Sequence, residues 1–443
     1  MFGPSDYGLY ALTIGTVALC QAGIDQWLGR ATIKFVSQAA DPEPVGRTIL
    51  RLHLVVGLAV GLMVAAAAPL LAELFGEAPL TGFIRIFAIS IPLETLAQGH
   101  VGLLIGTERY RERAIIRSAH WLTRFGLIVT LVLLGFGIVG ALWGALSASA
   151  VALTLARLWI RPSLVGSNVP VLPILAFGSP LFVAGAAGIA HRRLDLFALK
   201  AMGGSAAEAG LYAAAQTLAG VVGILAMALG PLLLSSMNRA WAVGALEEAK
   251  TLGRDFFRVA LWILPLAGLI AGASSEIMVL VFGADFGSAG PVLSLLFLAG
   301  MTFFFGMTCN SAFVVCGNLR AVVFSAVLPL GVVLILFPVL IPGMGSLGAA
   351  LTTFIASLAG LCLALVLVWR QWGLTLPLGT LLRSAIVTGG AMWVASSWGA
   401  SLTWLVPKIL MGVVGVAASF WVLGEWRDGN LPRVRSMGAE PCP

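Results

Sequence analysis

Charge is what this sequence has least of. Only 10% of its 443 residues are Asp, Glu, Lys or Arg, while 59% are hydrophobic; a soluble domain carries roughly 25% charged residues to solvate its surface. That shortage excludes a set of water-soluble domains joined by polar linkers. Paired cysteines are missing too. Cys20, Cys309, Cys316, Cys362 and Cys442 show no CxxC spacing, and four of them lie in apolar runs, so they read as packing residues rather than metal ligands or disulfides. There is no P-loop, no HExxH and no long loop with clustered acids or histidines. No enzyme, cofactor or metal is therefore expected. The net charge of +7 does not point to nucleic acid, because the Lys and Arg are dispersed among loops rather than gathered in one basic domain.

What the chain has is hydrophobic runs of 18 residues or more, one after another, the length that crosses a bilayer as a helix. In lipid the backbone must satisfy its own hydrogen bonds, so these runs are expected to be helical and the fold all-α. The 53 Gly and 21 Pro are tolerated in such helices, where small residues permit close packing. Apolar runs read against charge and turn signals give seven helices near 7–27, 49–74, 82–106, 114–136, 139–160, 172–200 and 209–236. Six more follow near 257–282, 290–315, 320–341, 345–369, 380–399 and 402–424, about thirteen transmembrane helices in all.

Basic residues cluster in every second loop. Twenty of the 26 Lys and Arg follow odd-numbered helices, Arg109, Arg111, Arg113 and Arg117 after the third for example, and the loops near Gly76, Gly137, Gly283, Gly343 and Ala400 hold almost none. The positive-inside rule makes the arginine side cytoplasmic, along with the C-terminal tail. Met1 then falls outside the cell with no segment to carry it there, which leads to the expectation of a missing upstream helix.

The chain also repeats itself. Gly8-Leu9-Tyr10-Ala11 recurs as Gly210-Leu211-Tyr212-Ala213, Leu74-Phe75-Gly76 pairs with Val281-Phe282-Gly283, Gly106 with Gly317, and Gly140-Ala141 with Gly348-Ala349. The offsets, 202, 207, 211 and 208 residues, span six helices and so preserve orientation, which predicts two parallel-repeat lobes about an axis along the membrane normal. The expected division is 1–160 for an N-terminal lobe lacking its first helix, 161–370 for a C-terminal lobe, 371–426 for two additional helices and 427–443 for a cytoplasmic tail.

FGPSDYGLYAL at 2–12, SPLFVAGAAGIAHRRLDLFALKAMGGSAAEAGLYAAAQTLA at 179–219, VFGADFGSAGPVLSLL at 281–296 and the Gly-rich turn from Gly343 to Ala350 carry a resemblance. In order and spacing they resemble the polysaccharide flippases of the O-antigen and exopolysaccharide type, within the multidrug/oligosaccharidyl-lipid/polysaccharide exporter superfamily. The resemblance implies fourteen helices with both termini cytoplasmic, a polyprenyl-pyrophosphate-linked glycan as cargo and a place in the cytoplasmic (inner) membrane. It also brings in polysaccharide polymerases and glycosyltransferases as partners, and lipopolysaccharide or exopolysaccharide assembly as the setting. One departure is Trp27, where these flippases often have Gly after the Asp that closes this helix.

Transport needs polar groups at membrane depth. Arg113, Arg117, His120 and Arg124, spaced four, three and four, share one face of a helix as a stripe about 16 Å long. Guanidinium groups bind phosphate through paired hydrogen bonds, which suits a lipid-linked pyrophosphate; the alternative is that Arg113 and Arg117 anchor the helix at headgroups while Arg124 snorkels. Glu94 lies mid-helix with Gln98 one turn on: a proton-coupling group, or a neutral Glu bonded to Gln98 in the bundle core. His191, Arg192, Arg193 and Asp195 fit an anion-release site or an interfacial ion-pair cluster. Asp25, a second proton-coupling candidate, Gln21 and Arg85 are further polar positions, and Glu276 and Asp285 mark a helix end. The expected function is flipping of a lipid-linked oligosaccharide by alternating access. Its rivals are a drug/cation antiporter, whose cavity should be acidic rather than arginine-rich, a non-transporting component of polysaccharide export, and a glycan polymerase or ligase, whose catalytic external loop is missing.

Overall fold

The computed structural model describes residues 2–161, 169–179, 182, 193–398 and 402–425. Among these, regular structure is entirely helical, and the protein is an all-α polytopic membrane protein. In chain order the elements begin with α1 (Pro4–Ile24), a π-helical turn (Asp25–Gly29), α2 (Arg30–Ser37), α3 (Pro42–Leu74), α4 (Leu80–Ala88) and α5 (Ser90–Gly106). They continue with α6 (Tyr110–Leu133), α7 (Gly137–Trp159), α8 (Leu194–Ala201), α9 (Ala206–Ala242), α10 (Leu246–Gly272) and α11 (Ser274–Phe282). A 3-10 turn (Ala284–Ala289) leads to α12 (Gly290–Val315), α13 (Leu319–Trp372), α14 (Leu378–Ser397) and α15 (Leu402–Val422).

Eleven described helical stretches are long and apolar enough to cross a membrane. One of them, α13, is two helices folded at Gly345, whose φ of 54° and ψ of −131° interrupt the helix; only glycine adopts that region at little cost. The sixth expected helix, near 172–200, falls partly outside the described residues.

Among the boundaries that differ from the sequence reading, two are helix starts that come earlier than expected. Helix α3 starts at Pro42, because the Asp41 side chain accepts from the Glu43 N–H and Pro42 occupies the first turn, a start signal that the neighbouring Pro44 makes look like a loop. Helix α10 starts at Leu246 rather than near 257, since the charged run Leu246–Arg258 continues the helix as an amphipathic first half.

The chain divides into two compact units, Met1–Ala213 and Ala214–Pro443. In the first, Ile49 and Leu50 of α3 pack with Ala31, Val36 and Leu103, while Ala97 and Leu104 of α5 pack with Ile116, Ala152 and Ala156. In the second, Leu233, Met237, Phe257, Leu261, Phe304 and Phe313 belong to one buried cluster.

The repeated Gly-Leu-Tyr-Ala motifs meet within the first unit. A Cβ on Gly8 would stand 2.0 Å from the Ala206 carbonyl oxygen, and one on Gly210 would stand 1.8 Å from that of Pro4. The contact is reciprocal, each glycine meeting the carbonyl four residues before the other, as a local twofold requires. Trp27 is accommodated by a different glycine: a Cβ on Gly178 would lie 2.4 Å from the Trp27 carbonyl oxygen. The Trp27 indole donates to the Leu175 carbonyl at 3.3 Å, so the bulk at this departure is met by a small residue on the facing segment.

Candidate functional site

The polar side chains singled out in the sequence come from three parts of the first unit. Helix α6 supplies Arg113, Arg117, His120 and Arg124 on one face, and Ile116 is its only buried residue. Ile128 and Leu131, one and two turns beyond Arg124 on the same face, are met closely by α7 through Gly144 and Gly140. Packing therefore takes one half of this face, and the charged half is left for other groups. Arg113 and Arg117 are exposed, while His120 and Arg124 are half-buried.

Glu94 and Gln98 stand one turn apart on α5, and the Gln98 amide donates to Glu94 Oε1 at 2.9 Å. The other carboxylate oxygen, Oε2, is buried without a hydrogen-bond partner and lies 4.0 Å from His120 Nδ1. The bonded Glu94–Gln98 pair anticipated for a packed core is thus present, together with a free oxygen turned to the charged face of α6.

Asp25 opens the π-helical turn at the end of α1, a distortion frequent at functional positions. It feels the charges of both Glu94 and Arg117, which brings it into the same cluster. Gln21, one turn before, donates to the Ser90 hydroxyl at 3.3 Å and ties α1 to the start of α5. At the deep end of the stripe, Arg124 is near enough to Tyr10 for its charge to act on the phenol, and its guanidinium lies 5.5 Å from the centre of the Trp121 ring. His120 thus faces Glu94, and the charge of Arg117 acts on Asp25. Three guanidiniums on one helix face, more than the two carboxylates nearby, suit a multiply charged anion, which they can hold by charge and by directed hydrogen bonds.

The remaining candidates go elsewhere. His191 and Arg192 lie outside the described residues. Asp195 is buried on α8, where it accepts from the Tyr212 hydroxyl at 2.7 Å and from the Leu196 N–H. Arg85 reaches the Ala65 carbonyl at 3.4 Å. Glu276 sits in the first turn of α11 and pairs with Lys408 at 2.6 Å. Sequence reasoning missed Tyr10 as the partner of Arg124, and the Lys200–Glu77 pair at 2.8 Å. The signal for Tyr10 was present, since it is the tyrosine of the repeated motif, and its counterpart Tyr212 also takes a charged partner.

No group of His, Cys, Asp or Glu among the described residues is placed to hold a metal. The described cysteines, Cys20, Cys309, Cys316 and Cys362, are free thiols.

The sequence profile of a family described as "Polysaccharide biosynthesis protein" matches residues 1–291. No curated protein matches the chain in sequence. Among solved structures the chain is similar to "Lipid II flippase MurJ, inward closed conformation", at a TM-score of 0.77 and 15% identity, covering 95% of this chain and 93% of that one. It is similar to an inward-facing multidrug resistance MATE family transporter of the MOP superfamily, at a TM-score of 0.70 and 16% identity over 83% and 91% of the two chains. A third is a MOP superfamily transporter from Pyrococcus furiosus whose title reports a binding pocket of reverse polarity, at a TM-score of 0.59 and 14% identity over 81% and 86%. At these identities the likeness is one of fold, that of the MOP transporters.

Proposed function

We infer, because the chain belongs to the polysaccharide biosynthesis protein family, that it carries a lipid-linked oligosaccharide or polysaccharide precursor across the cytoplasmic membrane by alternating access. The cargo is a glycan on a polyprenyl pyrophosphate, and the C-terminus is cytoplasmic. The observation that carries this reading is the face of α6, where Arg113, Arg117, His120 and Arg124 lie in one row with Asp25 and Glu94 beside them. The guanidiniums hold the pyrophosphate, and the glycan follows it while the polyprenyl tail stays in lipid. Glu94 and Asp25 exchange protons as the site changes sides. The cargo of the MurJ structure, named as lipid II in its title, is of the same chemical class.

The two carboxylates favour a second reading, export of an organic cation, as in the multidrug transporter of similar fold. It is the weaker one, because three arginines outnumber two acids and repel a cation. Arg124 separates the readings, since partial burial and its aromatic neighbours strengthen its hold on phosphate. Arg124→Ala is expected to abolish complementation of a strain lacking its lipid-linked glycan flippase. Arg124→Lys is expected to restore it in part, a point charge being a poor substitute for the bidentate fork. Full complementation by Arg124→Ala at normal expression, or binding of cationic drugs in place of pyrophosphate-linked glycans, would sink the flippase reading.

A further inference from the structure

We propose that a groove on the first unit, walled by α3, α5 and α7, binds an anionic glycerophospholipid of the surrounding membrane. The groove has a volume of about 610 Å³. Its lining follows each helix in one-turn steps: Leu50 and Leu54 on α3, Leu96 and His100 on α5, and Leu153, Arg157 and Arg161 on and just after α7. Residues four apart lie one above the other along a helix, so the groove runs parallel to the helix axes, as an acyl chain does in a bilayer. It is also graded. Leu54, Leu96 and Leu153 occupy one end, and both arginines lie at the other, on the side that the charge pattern of the loops makes cytoplasmic.

Two features mark this surface off from an ordinary lipid-facing one. Arg161 Nε donates to the Arg157 backbone carbonyl at 3.1 Å, which folds the Arg161 side chain back over the end of α7, one turn beyond Arg157, at the depth of lipid headgroups, where a phosphate takes paired, charge-assisted hydrogen bonds. Below them His100 is 1% exposed. Its Nδ1 is committed to the Leu96 carbonyl at 2.8 Å, and Nε2 is buried with no protein partner. An orphaned ring nitrogen in an apolar wall is costly. The His100 ring lines the groove beneath the two arginines, at the depth of a lipid's glycerol region. His100 follows Glu94 by six residues, which turns it roughly 120° around α5 from the charged face of α6. The groove is therefore separate from the proposed cargo site and does not depend on that reading.

The test uses the full chain purified in a neutral detergent, with phosphatidylglycerol, phosphatidylcholine or undecaprenyl phosphate added and thermal unfolding measured. Phosphatidylglycerol is expected to raise the midpoint by about 4 °C or more, and phosphatidylcholine by clearly less. The response should disappear in Arg157→Ala/Arg161→Ala, which removes the phosphate ligands. It should disappear as well in Thr154→Trp, which fills the groove from an exposed lining position and leaves the charges in place. Arg320→Ala, at an exposed arginine of the second unit, should respond like the wild type. An undiminished response in either groove variant overturns the proposal, as does an equal loss in Arg320→Ala, which would mean diffuse attraction to basic loops. Stabilisation by undecaprenyl phosphate with none by phosphatidylglycerol overturns the choice of lipid.

Discussion

Glu94 on α5 and His120 on α6 face each other with Oε2 4.0 Å from Nδ1, and that oxygen is the one the protein leaves without a hydrogen bond. The separation is too long for a hydrogen bond. Gln98 fixes the carboxyl group through the other oxygen, so protonation at Oε2 changes the field at His120, and at Asp25 nearby, without releasing the side chain.

Glu94→Gln keeps the size and the contact with Gln98 but cannot ionise. The expected outcome is loss of gradient-dependent flipping in proteoliposomes, with the protein folded and its lipid-linked glycan still bound. Wild-type flipping under an imposed pH gradient would return Glu94 to a packing role.

Much of this is legible in the sequence, for identifiable reasons. Periodicity and charge placed the helices because lipid permits few alternatives to them, and four-three-four spacing put Arg113, Arg117, His120 and Arg124 on one face by helix geometry alone. The approach of Asp25 to Glu94 was not legible, since it depends on a π-helical turn at Asp25–Gly29 for which no local residue pattern gives a rule. Lys200–Glu77 and Lys408–Glu276 were hidden for another reason: their partners lie 123 and 132 residues apart, and one sequence carries no information on such pairing.

The crossing of Gly8 and Gly210 makes a prediction about stability. A methyl group at either position would run into a backbone carbonyl, which cannot move aside as a flexible side chain can. Gly8→Ala and Gly210→Ala are each expected to destabilise the protein by about 1–3 kcal/mol, lowering the thermal midpoint in detergent. Gly220→Ala, where a Cβ would meet nothing within 4 Å, is the control and should leave the midpoint unchanged. Equal behaviour of all three variants would show that the repeated motifs do not meet as described.

The side of the membrane can be read with single cysteines. The arginine-rich loops predict that position 250 is cytoplasmic and that Gly76 and Gly343 are external. A membrane-impermeant maleimide applied to intact cells should label cysteines at 76 and 343 and spare one at 250. Labelling at 250 from outside would invert the topology, and with it the direction of transport proposed here.

The pair Lys408–Glu276 tests how an ion pair is tolerated within the second unit. The two side chains are 2% and 9% exposed, 2.6 Å apart, and Lys408 also donates to the Trp398 carbonyl at 3.2 Å, so the ammonium is held by two acceptors and joins α15 to the first turn of α11. Removing one partner strands the other in a site with little water, a change that costs about 3–5 kcal/mol. Lys408→Met alone should therefore lower the thermal midpoint sharply. Replacing both, as Lys408→Met with Glu276→Leu, removes the stranded charge along with the pair, and most of the lost stability should return. If the double variant is no more stable than Lys408→Met alone, the pair is not what joins these helices, and the Trp398 contact becomes the interaction to examine.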